Sequence, residues 1–376
     1  MANPRAIVLI GPTHPYTGGI SQHTTRLALE LEHAGHQPVV ESWKAQYPKR
    51  LYPGTPTVPD GEPEIGIPHT VNTDLAWYSP ISWWRVGRRH RGSRLVVNIP
   101  TAFHAIPYSI IAHAAGPSSE IWGIVHNVRP HDAGRLSQRL MSWLLRRLDR
   151  IVVHGDAARS LAVDMGVDDE AIAVLALPSP WPAANQDTGK KAHKGPLRLL
   201  FFGTIRPYKG LDVLLEAMSQ TPDVTLTVAG EFWEQRDIYD QTISTRGLSD
   251  RVTIIPGYLP SSRFDEVFGE ADVLVLPYRS GTGSIVREVG FRFGLPVIAT
   301  TVGSIGDGIE HDQTGLLIDA NSVEALVDAL KTASSPGTLM RWRKGVTTRQ
   351  SVATNQWAHY VDVVTGDFFS SPSPRR

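Results

Sequence analysis

FFGTIRPYKGLD, residues 201–212, closes an apolar run (LRLLFF, 197–202) and opens a segment with helical apolar period beginning near Leu211. Between the two lie Gly203, Arg206, Lys209 and Gly210. Two cations three positions apart in an irregular turn, flanked by glycines, can both point at one anion. Arginine brings a planar fork and lysine a point charge, and both suit phosphate oxygens. A leaving diphosphate needs such compensation as its bond breaks. A surface turn with solvated charges fits the same residues, so the stretch alone leaves both readings open.

Outward from this turn, short apolar runs alternate with helix-period segments, the pattern of a parallel sheet with crossover helices, and the fold class is α/β. On the carboxyl side the runs are VTLTVAG (224–230), VTII (252–255), ADVLVLP (271–277), PVIAT (296–300) and GLLI (315–318). On the amino side they are AIVLI (6–10), PVV (38–40), LVVNI (95–99), IWGIV (121–125), RIVV (150–153) and IAVLAL (172–177), with helical segments at 20–34 and 134–149. PSPWPAANQDTGKKAHKGP (178–196) has no apolar period and separates the two series. The expected organisation is a first Rossmann-like domain over 1–185, a linker over 186–196 and a second Rossmann-like domain over 197–352. A helix over 353–369 is expected to cross back to the first domain, before a disordered tail at 370–376. Two doubly wound domains would face a central cleft, with ligands beyond the carboxyl ends of the strands.

The 376 residues are 41% hydrophobic, enough for two cores rather than one. Lys plus Arg and Asp plus Glu each number 37, so the overall basic footprint of a nucleic-acid binder is missing. No cysteine is present, which removes disulfides, thiolate nucleophiles and cysteine zinc sites. The N-terminal MANPRAIVLIGP has neither the apolar region nor the cleavage site of a signal peptide, and no stretch approaches the roughly twenty apolar residues of a membrane span. The expectation is a cytoplasmic protein, with any membrane contact peripheral.

The turn at 203–210 resembles the Gly-x-x-Arg-x-x-Lys-Gly signature of the retaining family-four glycosyltransferases of GT-B fold. GPTHPYTGGISQHT (11–24) resembles that family's first strand-to-helix loop, where Gly18 and Gly19 would let backbone approach the donor phosphates. LPYRSGTGSIVREVGFRFGLPVIATTVG (276–303) resembles its second donor segment, in which the N–H groups of Gly283, Ser284 and Ile285 would meet the diphosphate at a helix N-terminus. GSIGDGIEHDQTGLLI (303–318) matches the segment after it. IWGIVHNVRPHD (121–132) resembles the strand that ends in a histidine near the reacting sugar. The resemblance thus makes His126 a catalytic candidate beside Arg206 and Lys209, with His131 and Asp132 as acceptor-side residues. Gly203, Tyr258 and Leu259 join the donor-binding set, the last two through backbone groups in PGYLP (256–260), where the family holds the base.

One departure stands out. The family commonly carries two glutamates eight apart in the second donor segment, and the matching positions here are Gly281 and Val289. Glu288 is one step away, about 100° round a helix, and is retained as a ribose contact.

The resemblance implies transfer of a hexose from a UDP- or GDP-sugar to a hydroxyl acceptor, a glycan or lipid-linked glycan, with retention and with no cofactor or essential metal; no Asp-x-Asp occurs. A phosphorylase or epimerase of the same fold, or a non-catalytic partner subunit, are the alternatives. ISWWRVGRRHRGSR (81–94) and the Arg-rich stretch 135–150 suit either a solvated face with core tryptophans or an anionic membrane surface.

Overall fold

The computed structural model describes residues 5–48, 54–58, 63, 65–128, 134–181, 195–281, 283–353 and 356–366. The chain forms two compact units, Met1–Pro180 with Asn355–Arg376, and Trp181–Thr354.

In the first unit the strands are β1 (Ile7–Ile10), β2 (Val39–Ala45), β3 (Val71–Ala76), β4 (Arg94–Ile99), β5 (Glu120–Val125), β6 (Arg150–Val153) and β7 (Ile172–Val174). They pair in parallel in the order β3-β2-β1-β4-β5-β6-β7, so the strand order reverses beside β1. Such a sheet buries both faces, which explains the unbroken apolar runs. Val8 and Ile10 enter one core cluster with Leu95, Val97 and Ile151, whereas Ile7 and Leu9 enter the other with Val96, Ile124 and Val152.

The helices of this unit are α1 (Gly19–His33), α2 (Pro80–Arg89), α3 (Ala105–Ala115), α4 (Arg135–Leu145) and α5 (Asp156–Asp164). Sequence periodicity misses β3 and α2. Of the six residues of β3 only Leu75 and Ala76 are buried, because it is an edge strand. Helix α2 begins at Pro80 behind Ser79, whose hydroxyl accepts from the Ser82 N–H. Gly87 lets it meet α3, since a Cβ there would stand 2.3 Å from the Ile111 carbonyl oxygen.

The second unit contains β8 (Leu197–Phe202), β9 (Val224–Gly230), β10 (Val252–Pro256), β11 (Val273–Leu276), β12 (Val297–Thr300) and β13 (Gly315–Ile318). They are parallel in the order β10-β9-β8-β11-β12-β13, the same winding with its reversal beside β8. Its helices are α6 (Leu211–Ser219), α7 (Asp237–Thr245), α8 (Phe264–Glu270), α9 (Ile285–Arg292), α10 (Val323–Ser334) and α11 (Thr338–Ala353). At the amino ends of β8 and β11, buried Asp272 accepts from Arg198 at 3.0 Å and from Arg343 of α11 at 2.7 Å.

Helix α12 (Gln356–Thr365) belongs to the first unit. Its Tyr360, Val361, Val363 and Val364 complete the cluster beneath α1, and the Val364 carbonyl accepts from Arg94 at 2.9 Å.

Candidate active site

The donor-side candidates gather at the carboxyl ends of β8 and its neighbours. Gly203 leaves β8 with φ +103 and its N–H bonds to the Ala229 carbonyl. Gly230 closes β9 so tightly that a Cβ would lie 2.0 Å from the Gly203 oxygen, and Gly257 donates to Gly230 at 3.0 Å after β10. Glycine is needed where backbones approach this closely. Tyr258 and Leu259 follow directly, Leu259 buried and Tyr258 half-buried.

Residues 207–209 form one 3-10 turn, with Arg206 extended before it and Gly210 in the left-handed region at φ +71 after it. A Cβ on Gly210 would stand 2.1 Å from the Pro277 oxygen, so this glycine locks the turn against the segment after β11. The Arg206 guanidinium lies over the Trp233 ring at 4.6 Å. Lys209 is buried, 7% exposed, with its ammonium 5.4 Å from the centre of the Tyr278 ring. It sits against Gly203 and Val286, because a Cβ on Gly203 would find Nζ at 3.1 Å and the valine methyl at 3.5 Å. Among the described residues no carboxylate forms an ion pair with Arg206 or Lys209. Burial pushes the Lys209 pKa below its ordinary value; the neighbouring Tyr208 opposes that shift and Arg206 adds to it. An unpaired buried cation is expensive, and an anion beside it relieves the cost.

Gly283 precedes Ser284, whose hydroxyl caps α9 by accepting from the Val286 N–H at 3.3 Å. A Cβ on Gly283 would touch nothing within 4 Å. Ile285 opens the helix and brings the free N–H groups of its first turn to the same end of the sheet as Lys209. Val289 faces the core at 1% exposure. Glu288 is also buried and turned towards α11: its Oε1 accepts from Arg287 Nε at 3.0 Å and from Arg349 at 3.1 Å, and its Oε2 from Arg349 at 3.2 Å. A ribose contact through Glu288 would therefore compete with two guanidinium groups.

In the first unit Gly18 caps α1 with φ +95 and open space where a side chain would be, and Gly19 is the first helical residue. His126 follows β5 and its Nε2 lies 3.0 Å from Asn98 Oδ1 at the end of β4. Sequence reasoning did not place His23 beside it. The His23 ring is 4.9 Å from that of His126 and 6.0 Å from that of His154, which follows β6. Trp357 and Tyr360 of α12 cover His23 at 5.3 and 5.1 Å. Burial first, then repulsion from His154 and, for His126, also from His23, holds His23 and His126 well below the ordinary histidine pKa, and burial brings His154 to about 4, so the trio is neutral at pH 7. Both ring nitrogens of His23 and the Tyr360 hydroxyl are buried without a hydrogen-bond partner. Position four residues after Gly19, on the buried face of α1, was the only local signal for His23. His131 and Asp132 lie outside the described residues.

The tryptophan-arginine patch divides. Trp83 is core, its Nε1 donating to the Ala76 carbonyl at 2.8 Å. Arg89 pairs with Glu41 and Asp74, Arg91 donates to the Ala114 carbonyl, and Arg94 holds Glu120. Trp84, Arg85 and Arg88 remain exposed. No helix among the described residues is long and apolar enough to cross a membrane.

Two Rossmann-like sheets in series, with a cationic glycine-bounded turn after the first strand of the second, define the GT-B fold. Residues 184–345 match the family model of glycosyl transferases group 1. It is 24% identical to glycogen synthase of Mycobacterium tuberculosis over 95% of this chain and 94% of that one. It is 33% identical to D-inositol 3-phosphate glycosyltransferase of Rhodococcus jostii over 37% of this chain and 33% of the relative. Among solved structures, Anabaena HepE in complex with UDP-glucose superposes with TM-score 0.72 at 14% identity, covering 97% of this chain and 99% of that one. Sucrose-phosphate synthase of Thermosynechococcus elongatus gives 0.72 at 17% identity, covering 97% and 98%.

Proposed function

We propose that this glycosyltransferase moves a hexose from a nucleoside-diphosphate sugar to a hydroxyl of a glycan or glycolipid, with retention of anomeric configuration. The observation that carries the proposal is Lys209, a buried ammonium without a carboxylate partner among the described residues, beside a second cation and a glycine-preceded helix N-terminus. In this reading Arg206, Lys209 and the N–H groups of Ser284 and Ile285 receive the negative charge that develops on the departing diphosphate, in place of a divalent ion. In the first unit Gly18 and Gly19 leave backbone open to a phosphate, and in the second Tyr258 and Leu259 hold the base. His126 stays neutral and, fixed by Asn98, offers a hydrogen bond to a sugar hydroxyl rather than a charge.

UDP and UDP-glucose are bound in the HepE structures, which makes UDP-sugars the first donors to test. Calorimetric titration with UDP and GDP, followed by product analysis with and without an acceptor, tests the reading. Absence of nucleotide binding would favour a non-catalytic subunit, consistent with Gly281 and Val289 at the glutamate positions. Free sugar released, or phosphate consumed, without acceptor would favour an epimerase or phosphorylase.

For a lipid-linked acceptor we propose peripheral contact through α2 and α4. Ile81 (64% exposed), Trp84 (51%) and Leu136 (71%) stand out from these helices among Arg85, Arg88 and Arg139. Sedimentation with phosphatidylglycerol vesicles, compared with phosphatidylcholine ones, checks it.

A further inference from the structure

The cationic turn is held by a residue outside it. Arg279, three residues after the end of β11, is tied to the turn twice: its backbone N–H donates to the Tyr208 carbonyl at 2.6 Å and its guanidinium to the Pro207 carbonyl at 2.7 Å. The same guanidinium takes both oxygens of Asp212 in the first turn of α6, one at 2.8 Å, and its Nε donates to Asn321 Oδ1 at 2.9 Å. Asn321 itself adopts φ +58, a left-handed conformation that asparagine tolerates better than most side chains. One planar fork thus joins three segments, 207–212, 277–279 and the loop before α10. The segment that carries Arg279 is pinned in turn, since the Tyr278 carbonyl accepts from Thr300 Oγ1 at 2.7 Å at the end of β12. Tyr278 is also the ring under the Lys209 ammonium, and Tyr208 meets it edge-on at 5.9 Å.

We infer that Arg279 is a positioning residue that fixes Arg206 and Lys209 relative to the N-terminus of α9, so that both cations and the helix N–H groups address one diphosphate. The inference rests on the diphosphate reading of that site. Lysine cannot replace the fork, because a single ammonium cannot span a carboxylate, a main-chain carbonyl and an amide in three directions. Asp212 neutralises Arg279, so the clamp itself adds no net charge to the site.

A double-mutant cycle on UDP and GDP affinity, read by calorimetry with a melting temperature for each protein, separates the two levels. Arg279→Ala is expected to weaken the nucleotide at least tenfold in the otherwise native chain but by a smaller factor in a Lys209→Ala background, because part of its effect passes through that cation. Arg279→Lys should resemble Arg279→Ala, and Asp212→Asn serves as the second variant should either fail to fold. If the unmutated protein binds neither nucleotide, the diphosphate reading falls and the inference with it. If it binds and Lys209→Ala abolishes binding while Arg279→Ala and Asp212→Asn leave affinity intact, the reading stands and the inference is overturned. An equal loss from Arg279→Ala in both backgrounds also overturns it, since Arg279 would then act independently of Lys209.

Discussion

Replacing Lys209 by methionine separates a functional cation from a structural one. The lysine is 7% exposed, has no carboxylate partner among the described residues and lies near another cation. A buried polar group without a partner costs about 1–3 kcal/mol, while the ammonium contact with Tyr278 returns about 0.5–1 kcal/mol. Lys209→Met keeps the volume and removes both, so the free protein should gain about 1 kcal/mol, roughly 2–4 °C in the melting of a unit this size. The same change should weaken UDP or GDP by about tenfold to 150-fold, the worth of about 1.5–3 kcal/mol for hydrogen bonds to a charged group. Alkaline pH supplies a further check. The folded lysine titrates below the ordinary 10.5, so between the two values the unfolded chain holds a proton that the folded chain lacks. Stability of the unmutated protein therefore rises with pH through that window and the advantage of Lys209→Met shrinks. Urea denaturation at pH 7.5 and 10 and nucleotide calorimetry read both effects. A Lys209→Met protein that is less stable than the parent at pH 7.5 would show that the ammonium serves the fold, and the argument for an anion site would collapse.

Other perturbations address neighbouring parts of the molecule. Arg206→Ala should lower sugar transfer at least a hundredfold with an unchanged melting temperature; near-normal turnover removes it from the diphosphate site. Gly210→Ala should disorder the turn, since the new Cβ would meet the Pro277 oxygen at 2.1 Å from a left-handed backbone, and loss of nucleotide binding with native-like circular dichroism is the expected signature. Glu288→Ala strands Arg287 and Arg349 and should destabilise the second unit by about 3–5 kcal/mol, as for a broken buried pair. A variant that stays folded yet loses more than tenfold in UDP affinity would instead restore the ribose role. Acid should loosen the first unit before the second. Burial holds His104 at about 3 and His154 at about 4, against 6.5 in the unfolded chain, so both stay neutral while their unfolded counterparts protonate, and together they remove about 4 kcal/mol between pH 7.5 and 5. Hydrogen exchange resolved by segment at the two pH values reports it, and equal loss of protection in both units contradicts it.

Most strands of both sheets were legible because a parallel sheet buried on two faces forces continuous apolar runs. The exceptions have local causes. Strand β3 is an edge and carries Asn72, Thr73 and Asp74 on its way to two buried residues. Helix α2 and the residues after it present an arginine-rich sequence whose charges are partly spent within the unit, Arg89 on Glu41 and Asp74 and Arg91 on the Ala114 carbonyl, so the composition looked more like a surface than the structure is. The turn at 203–210 could be read because its glycines and cations are contiguous. The histidine cluster could not, since His23, His126, His154 and Tyr360 come from four elements and meet only when α12 is packed on α1.

The distribution of carboxylates explains why the turn is electropositive in a chain of zero net charge. The arginines near the turn are paired with acids: Arg279 has Asp212, and Arg287 and Arg349 share Glu288, while at the opposite ends of the strands Arg198 and Arg343 share Asp272. Those pairs hold the loops and α11 in place and neutralise themselves locally. Arg206 and Lys209 are laid instead over aromatic faces, Trp233 and Tyr278, which can orient a cation without cancelling its charge. A carboxylate at either position would have given a more stable free protein and a poorer anion site. Glycine at 281 acts in the same direction, because a glutamate there would add negative charge just ahead of the N-terminus of α9. In the proposed reading neither Gly281 nor Val289 can hold ribose or sugar through a side chain, so backbone at 257–259 is the place to look for recognition within the second unit.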